Sequence, residues 1–300
     1  MNAGGSFTFK VTVNSGYKLD AVTVNGEKVA LNSENSYTIT NINKDQIVIV
    51  NFTSTSGGSG GGSGGGDTPT PTPTPDPDPK PVTPDDTGVS DVLNTKEHKP
   101  FLFGYPDSTF GPEKNITRAE VAQMFYNLLL EKDVPITVKF KDVPEDMWYA
   151  KAVNTLASLG MIQGVGDGMY APDRAITRAE FAAIATRFAK ETTAAKTGFV
   201  DVPETHWAYE YINVAVSYGW VNGYGGNRFG PDDLITRAQA ATMTNRMLGR
   251  LCDREAIDRG EGRSFPDVTY SHWAWYQIAE ATTEHDFTIS EDYTSETWKK

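Results

Sequence analysis

The feature that most constrains this sequence is a five-residue motif that returns three times at a fixed spacing. It reads ITRAE at residues 116–120 and again at 176–180, and ITRAQ at 235–239. Successive copies are 60 and then 59 residues apart. A self-similar period of this length predicts a repeat architecture, in which each unit buries its apolar face against its neighbours.

Each copy of the motif predicts the start of a helix. A threonine at the N-cap with Glu or Gln three residues later is a capping box. The threonine hydroxyl and the Glu or Gln side chain each accept a hydrogen bond from a backbone amide that would otherwise be unpaired. The three boxes are Thr117 with Glu120, Thr177 with Glu180 and Thr236 with Gln239. The arginine after each threonine is not needed by the box, and a cation in the first turn opposes the helix dipole. We therefore expect these three arginines to serve another purpose.

A complete repeat can be followed in the second copy. FKDVP at 140–144 leads to Trp148, and an apolar face of helical period predicts a helix that ends before Gly160. A glycine-rich loop at 164–172 follows, and the capping box at 177–180 begins a second helix. The third copy has the same order from Phe199 onward. Each unit is therefore predicted to be helix, loop and helix.

The first and last copies are incomplete in complementary ways. Trp148 lies 30 residues before the arginine of its unit, but no such half precedes the first motif, whereas FPDV at 265–268 and Trp273 restart the unit near the C terminus. We predict that the helix after Trp273 docks against the helix that begins at Thr117 and closes a ring of three equivalent units. The predicted segments are a half unit at 91–135, units at 136–195 and 196–255, and a half unit at 262–300.

Residues 1–53 differ from the repeats, because short alternating stretches separated by Asn and Gly predict a small antiparallel β module. GYKLDAVTVNGEKV and SYTITNINKDQIVIVNF resemble the internalin B-repeat of bacterial surface proteins, which implies a truncated β-grasp-like spacer. Residues 54–90 are Gly/Ser-rich and then Thr/Pro-rich, a composition that predicts a disordered linker, flexible and then stiff. The predicted fold is thus mixed and multidomain, with an all-α repeat region at 91–300.

The recurring pattern of F-x-D-V-P, a tryptophan, a glycine loop with D-G and an aromatic residue, and I-T-R-A-E resembles the S-layer homology (SLH) module over residues 91–285. The resemblance implies a helical pseudo-trimer that anchors extracellular proteins non-covalently to a bacterial cell wall or S-layer. Its implied partner is a secondary cell-wall polysaccharide, anionic and often bearing pyruvate ketals. The implied ligand-binding residues are Arg118, Arg178, Arg237, Asp142, Asp201, Asp267, Trp148, Trp207, Trp273, Gly104, Gly164 and Gly223.

For several of these residues a structural role is the alternative. An arginine beside the free amides of a helix N-terminus suits a carboxylate, but it can equally pair with the aspartate of a neighbouring D-V-P turn. The tryptophans can stack on sugars or fill the core, and the glycines can simply form turns. Val165 stands where the other two loops carry Tyr105 and Tyr224, so we expect three unequal grooves.

Other classes of function find little support in the sequence. The formal net charge of −12 argues against nucleic-acid binding, and no apolar run reaches the roughly 18 residues of a membrane span. No catalytic constellation or cofactor motif is recognisable, and there is one cysteine. The four histidines, His98, His206, His272 and His285, show no metal-ligand spacing. The predicted role is therefore binding, without catalysis or a cofactor.

Without a secretory leader, we expect the chain to be the C-terminal piece of a longer protein. The alternatives are the anchor of a surface enzyme such as a glycoside hydrolase, or a structural lattice protein.

Overall fold

The computed structural model describes residues 5–13, 17–24, 27–42, 48–54, 82–190, 194, 196–224 and 227–299. The chain forms two compact units, Met1–Pro73 and Thr74–Lys300, and most of the predicted linker lies outside the described residues. Among the described helices, none combines the length and the apolar character needed to cross a membrane.

The N-terminal unit holds small antiparallel sheets, as its alternating sequence predicts. Its strands are β1 (Gly5–Lys10), β2 (Tyr17–Val24), β3 (Glu27–Val29), β4 (Ser36–Ile42) and β5 (Val48–Ser54). β1 pairs with β4, and β2 lies between β3 and β5. The predicted Asn25-Gly26 turn lies outside the described residues, but the flanking Val24 and Glu27 are paired. The β-grasp assignment stays a prediction.

The C-terminal unit is mainly helical. Its helices are α1 (Pro84–Thr87), α2 (Arg118–Leu128), α3 (Ala150–Ser158), α4 (Arg178–Thr186), α5 (Tyr209–Ser217), α6 (Arg237–Met247), α7 (Arg254–Asp258) and α8 (Trp275–Thr282). The prediction of an all-α region is wrong at its end, where β6 (Asp286–Ile289) and β7 (Glu296–Lys299) form an antiparallel hairpin. Asp286–Ile289 and Glu296–Lys299 alternate between more and less exposed side chains, the period of a strand.

All three predicted capping boxes are formed. The hydroxyl of Thr117 accepts a hydrogen bond from the amide of Glu120 (3.2 Å), and the Glu120 carboxylate accepts one from the amide of Thr117 (2.9 Å). The boxes that begin α4 and α6 have the same two bonds. Each box satisfies two amides that would otherwise lack a partner at the helix start.

The isoleucine before each box closes a ring of backbone hydrogen bonds. The amide of Ile116 donates to the carbonyl of Ile235 (3.0 Å), that of Ile235 to Ile176 (3.1 Å), and that of Ile176 to Ile116 (3.1 Å). All three isoleucine side chains are fully buried. This closed triangle relates the three copies of the motif by a pseudo-three-fold axis.

One of the three units is assembled from both ends of the repeat region. The Asp267 carboxylate accepts hydrogen bonds from the amides of Phe110 (2.8 Å) and Gly111 (2.7 Å), and the Ala281 carbonyl accepts from Phe101 (3.0 Å) and Leu102 (3.3 Å). Asp142 and Asp201 accept equivalent pairs of amides within the two continuous units. We call residues 265–282 together with 101–128 the composite unit.

The last helix, α8, does not make the contact with α2 that was expected to close the ring. α8 packs against α6, just as α3 packs against α2 and α5 against α4. The predicted docking of α8 on α2 is therefore wrong, because the first helix of each unit covers the second helix of the preceding unit. The ring closes instead through the contacts of Asp267 and Ala281 with the loop before α2.

Candidate functional site

The three motif arginines are buried and have structural partners. Arg118, Arg178 and Arg237 are 6%, 3% and 3% exposed. In Arg118, Nε donates to the carbonyl of Tyr170 (2.8 Å) and Nη2 donates to that of Gln163 (2.6 Å). Each arginine thus fastens its helix to the glycine-rich loop of the next unit around the ring.

The other two arginines repeat this arrangement. Arg178 donates to the carbonyls of Phe229 (2.9 Å) and Asn222 (2.6 Å), and Arg237 donates to those of Phe110 (2.8 Å) and Phe103 (2.6 Å). Hydrogen bonds from a charged donor contribute about 1.5–3 kcal/mol each. Each arginine therefore has a structural role, and its loop-carbonyl acceptors replace the D-V-P aspartates of the structural alternative.

The helix N-termini offer no free amides beside the arginines. In α2 the amide of Arg118 donates to the carbonyl of Arg174 (2.9 Å), the amide of Ala119 to that of Pro172 (2.9 Å), and the amide of Glu120 to the Thr117 hydroxyl. The first three amides of α4 and α6 have equivalent acceptors. An anion site built from these amides, as the sequence suggested, is excluded because every one of them is already donating.

The last guanidinium nitrogen, Nη1, distinguishes the three positions. Nη1 of Arg237 donates to Glu120 (2.8 Å), and Nη1 of Arg118 lies 3.6 Å from Glu180, which also pairs with Arg174. The carboxylate at this place belongs to the capping box of the next helix. At the third position the box residue is the neutral Gln239. Arg178 therefore lacks the carboxylate that the other two arginines face in this place.

Burial lowers the pKa values of two of the motif arginines. Desolvation lowers the pKa of Arg118 from its ordinary value, with Tyr170 and Glu180 opposing the shift. Desolvation also lowers the pKa of Arg178, and there Tyr224, Asp233 and Asp201 oppose it. Both side chains stay cationic at neutral pH, because an arginine begins far above it.

The predicted aspartates hold the loops in shape. Asp142 accepts the amides of Tyr170 (2.8 Å) and Ala171 (2.7 Å), and Asp201 accepts those of Phe229 (2.8 Å) and Gly230 (2.8 Å). Asp267 does the same across the composite unit. Each carboxylate pairs with two adjacent amides, so its evident role is to clamp the loop that the arginine also holds.

The predicted glycines are positions of close approach. A Cβ on Gly104, Gly164 or Gly223 would collide with a phenylalanine ring, that of Phe265, Phe140 or Phe199 respectively, and with a loop carbonyl. Packing against these rings explains why the loops need glycine there.

The three tryptophans lie at the surface. Trp148, Trp207 and Trp273 are 59%, 57% and 58% exposed, so the alternative that they fill the core is wrong. His206 and His272, which precede two of them, accept a hydrogen bond from the amide two residues later (3.1 Å), a structural role. Three equivalent exposed indoles form a recurring surface feature of the ring.

One groove brings several predicted residues together. A cavity of about 200 Å³ is lined by Arg118, Gly164 and Trp207, together with residues that the sequence did not single out: Gln163, Val165, Glu180, Ala183, Ile184 and Arg187. We call it the Arg118 groove. Sequence reasoning assigned Glu180 to capping alone, and Arg187 lies outside the motif. Asp142 and Asp201 do not line this groove.

The repeat places equivalent surfaces at the other two arginines, with different chemistry. The Arg178 guanidinium lies 4.5 Å from the ring centroid of Tyr224, and that of Arg237 lies 4.5 Å from Tyr105. The Tyr105 hydroxyl donates to Glu120 (3.0 Å), and burial raises the pKa of Tyr105 to about 12. Val165 leaves the Arg118 groove without this tyrosine. Within the described residues, no group of three metal-ligating side chains lies in these grooves.

These repeats are similar to segments of known cell-surface proteins. The S-layer homology domain model matches residues 92–122, 139–182 and 198–241. The chain is 38% identical over 210 residues to a cellulosome-anchoring protein of Acetivibrio thermocellus, covering 66% of this chain and 45% of that protein. It is 32% identical over 170 residues to exoglucanase XynX of Acetivibrio thermocellus, covering 54% of this chain and 16% of that protein. It is 32% identical over 163 residues to a surface-layer 125 kDa protein of Lysinibacillus sphaericus, covering 53% of this chain and 14% of that protein.

Proposed function

Because the S-layer homology domain model matches three segments of this chain, we propose that the chain anchors a bacterial surface protein non-covalently to the cell wall. The proposed ligand is an anionic wall polysaccharide, one that bears pyruvate ketals, and the proposed site is the set of grooves at Arg118, Arg178 and Arg237. The proposed role is binding, at the outer surface of the cell, and the chain itself carries out no reaction.

The exposed tryptophans carry this proposal. An indole that is more than half exposed presents a flat apolar face, which suits the C–H face of a sugar ring. Trp207 lies in the same groove as Arg118, so a sugar stacked on the indole would place an acidic substituent near the guanidinium. The recurrence of this tryptophan in all three units supports a multivalent ligand such as a polymer.

The arginines contribute charge more than free donors. Their Nε and Nη2 are committed to loop carbonyls, which fixes each guanidinium, and the Tyr224 side chain is a further hydrogen-bond partner of Arg178. Glu120 already holds Nη1 of Arg237 (2.8 Å), whereas Gln239 brings no carboxylate to Arg178. We therefore propose that the Arg178 groove binds the anionic substituent most tightly and the Arg237 groove least tightly.

The test removes the indoles together. Trp148→Ala, Trp207→Ala and Trp273→Ala combined should abolish pull-down of the full chain by purified cell wall. Since the rings are exposed, the thermal unfolding temperature Tm should stay near that of the unmodified protein. Phe7→Ala, which removes an exposed aromatic from the N-terminal unit, is the matched control and should bind normally. Unchanged pull-down by the triple variant would reject the proposal.

The chemistry of the ligand has its own test. Wall material with its pyruvate ketals removed should bind the unmodified chain more weakly, because the arginines lose their carboxylate partner. Equal binding to both preparations would reject the acidic substituent while leaving sugar stacking intact.

Two alternatives have support among the relatives. The likeness to an exoglucanase supports a role as the anchor of a larger surface enzyme, and the likeness to a surface-layer protein supports a structural lattice. Both alternative roles also require the proposed binding to the cell wall. Self-assembly of the purified chain into sheets would favour the lattice, and a catalytic domain in the same reading frame would favour the enzyme anchor.

A further inference from the structure

Two histidines and two glutamates from distant parts of the sequence meet beside the hairpin. His98, Glu280, His285 and Glu296 each contribute one ligand-capable atom, and these four atoms all lie within 4.8 Å of one another. Glu280 belongs to α8 and Glu296 begins β7. His98, Glu280 and Glu296 are buried, and His285 is half-buried. The cluster has no part in the proposed wall-binding grooves.

With both imidazoles neutral, this cluster holds more acceptors than hydrogen atoms. Nδ1 of His98 lies 3.0 Å from Nε2 of His285 and 3.1 Å from an oxygen of both Glu280 and Glu296. Nδ1 of His285 donates to the carbonyl of Thr283 (3.2 Å), so Nε2 of the neutral ring carries a lone pair. A single hydrogen on His98 would then face three acceptors.

Glu280 is the group left most clearly without a partner. It is fully buried, and neither of its carboxylate oxygens accepts a hydrogen bond from any described residue. Its closest neighbours are the two ring nitrogens, at 3.1 Å from His98 and 3.4 Å from His285. The buried Arg250 guanidinium lies 4.0 Å from the same carboxylate, which is beyond hydrogen-bond distance. Leaving a buried carboxylate without hydrogen bonds is strongly unfavourable, and a metal ion between the four ligand atoms would supply the missing contact.

The distances fit a tetrahedral ion. Five of the six separations among the four ligand atoms are 3.0, 3.1, 3.1, 3.1 and 3.4 Å. Four ligands at about 2.0–2.1 Å from a tetrahedral zinc ion are separated by about 3.3–3.4 Å. We propose that His98, Glu280, His285 and Glu296 form a structural site for a divalent transition-metal ion of the zinc class. Two imidazoles and two carboxylates are ligands that such ions accept, and the carboxylates balance the charge.

Surrounding groups orient the ligands, as is usual around metals. The Glu296 carboxylate accepts hydrogen bonds from the amide of Leu251 (3.0 Å) and the indole of Trp298 (3.2 Å). The His98 ring stacks on Phe287 with 3.6 Å between centroids, and the His285 ring stacks on Trp298 at 3.9 Å. These contacts hold the two imidazoles and one carboxylate in place before an ion arrives.

An ion can reach the cluster, and it would join the two ends of the ring. His98 and His285 both line an open groove of about 740 Å³. His98 lies just before the N-terminal segment of the composite unit, Glu280 belongs to its C-terminal segment, and His285 and Glu296 follow that segment, up to 198 residues from His98. The ion would therefore staple the two halves of the composite unit together. Spacing along the sequence predicted no metal site, because only the closed ring brings these residues together.

The test uses the full chain without a histidine tag, freed of metal with a chelator and then titrated with Zn²⁺. One equivalent should bind, and Tm should rise by about 5–10 °C at free Zn²⁺ about a hundredfold above its Kd. Co²⁺ should bind in the same ratio and give the intense visible absorption of a four-coordinate ion. Absence of stoichiometric binding and of any rise in Tm would overturn the proposal, as would a pale six-coordinate Co²⁺ spectrum.

Variants identify the ligands. His285→Ala and Glu296→Gln should each lose the Zn²⁺-dependent rise in Tm and the Co²⁺ band. His272→Ala, which removes a histidine outside the cluster, should keep both. If a ligand variant does not fold, the Co²⁺ spectrum of the unmodified chain still decides the coordination number. A full Zn²⁺ response in Glu296→Gln and His285→Ala would place the ion elsewhere and refute the assignment.

Discussion

The ring closure can be tested at one carboxylate, that of Asp267. It accepts the amides of Phe110 (2.8 Å) and Gly111 (2.7 Å), which lie 157 and 156 residues earlier in the chain. Asp267→Ala removes both acceptors and leaves two amides of buried residues unpaired. The variant should therefore loosen the composite unit, while the two continuous units keep their own clamps at Asp142 and Asp201.

The size of the effect follows from the two bonds. Removing a hydrogen bond to a charged group costs about 1.5–3 kcal/mol. Asp267 is itself exposed, so water can reach the amides it leaves, and the lower end applies to both. The expected loss is then about 3 kcal/mol. For a folded unit of 150–250 residues this corresponds to a fall in Tm of about 6–12 °C.

The assay combines thermal unfolding with amide hydrogen exchange. Asp267→Ala should lower Tm and accelerate exchange in residues 101–111 and 265–282 before the rest of the repeat region. Asp142→Ala is the matched control, because it removes the same two bonds within a continuous unit and should accelerate exchange around residue 170 instead. A fall in Tm below about 2 °C, with unchanged exchange at 101–111, would refute the clamp as the closure of the ring.

Three further predictions concern the arginines, the groove charge and pH. Arg178→Ala should lower the free energy of unfolding by about 3 kcal/mol in denaturant titrations, because two loop carbonyls lose their charged donor; normal stability would show that the loop does not need the arginine. Gln239→Glu should weaken wall binding several-fold without changing Tm, because glutamate caps α6 equally well but brings a carboxylate towards Arg178; unchanged affinity would exclude the Arg178 groove as the principal site. Burial opposes ionisation of Asp201, but the amides of Phe229 and Gly230 hold its pKa below the usual value. Its contribution to stability is therefore complete above the unfolded pKa of about 4 and is lost as pH falls through the lower folded pKa, so the difference in Tm from Asp201→Asn should shrink on acidification; a constant difference would contradict this.

The sequence predicted the helical units because their signals are local. A capping box spans four residues, so Thr117 and Glu120 specify a helix start regardless of what surrounds them. The half units at the two ends were likewise visible as a count of motifs, and the Asp267 carboxylate joins the two halves by accepting the amides of Phe110 and Gly111. The terminal hairpin was missed, because eight strand residues at 286–289 and 296–299 fall outside the repeat.

The candidate site was predicted less well, since its chemistry depends on partners far along the chain. The structural role of Arg118 was not visible in the sequence, because its carbonyl acceptors lie 45 and 52 residues away. The tryptophans were ambiguous until their exposure was known, and the inequality of the grooves rests on Gln239, a residue that the sequence assigned to capping alone.

The sequence by itself determined where α2, α4 and α6 begin, that the motif recurs in three units, and that one unit is divided between the two ends. The hydrogen bonds of a helix start and the apolar period depend on residues that are close together in the sequence, so they can be predicted without tertiary contacts. The tertiary structure alone decided which charges are paired, which indoles face outward, and that His98 meets Glu296. Those properties depend on distances between residues up to 198 positions apart, and only the closed ring fixes such distances.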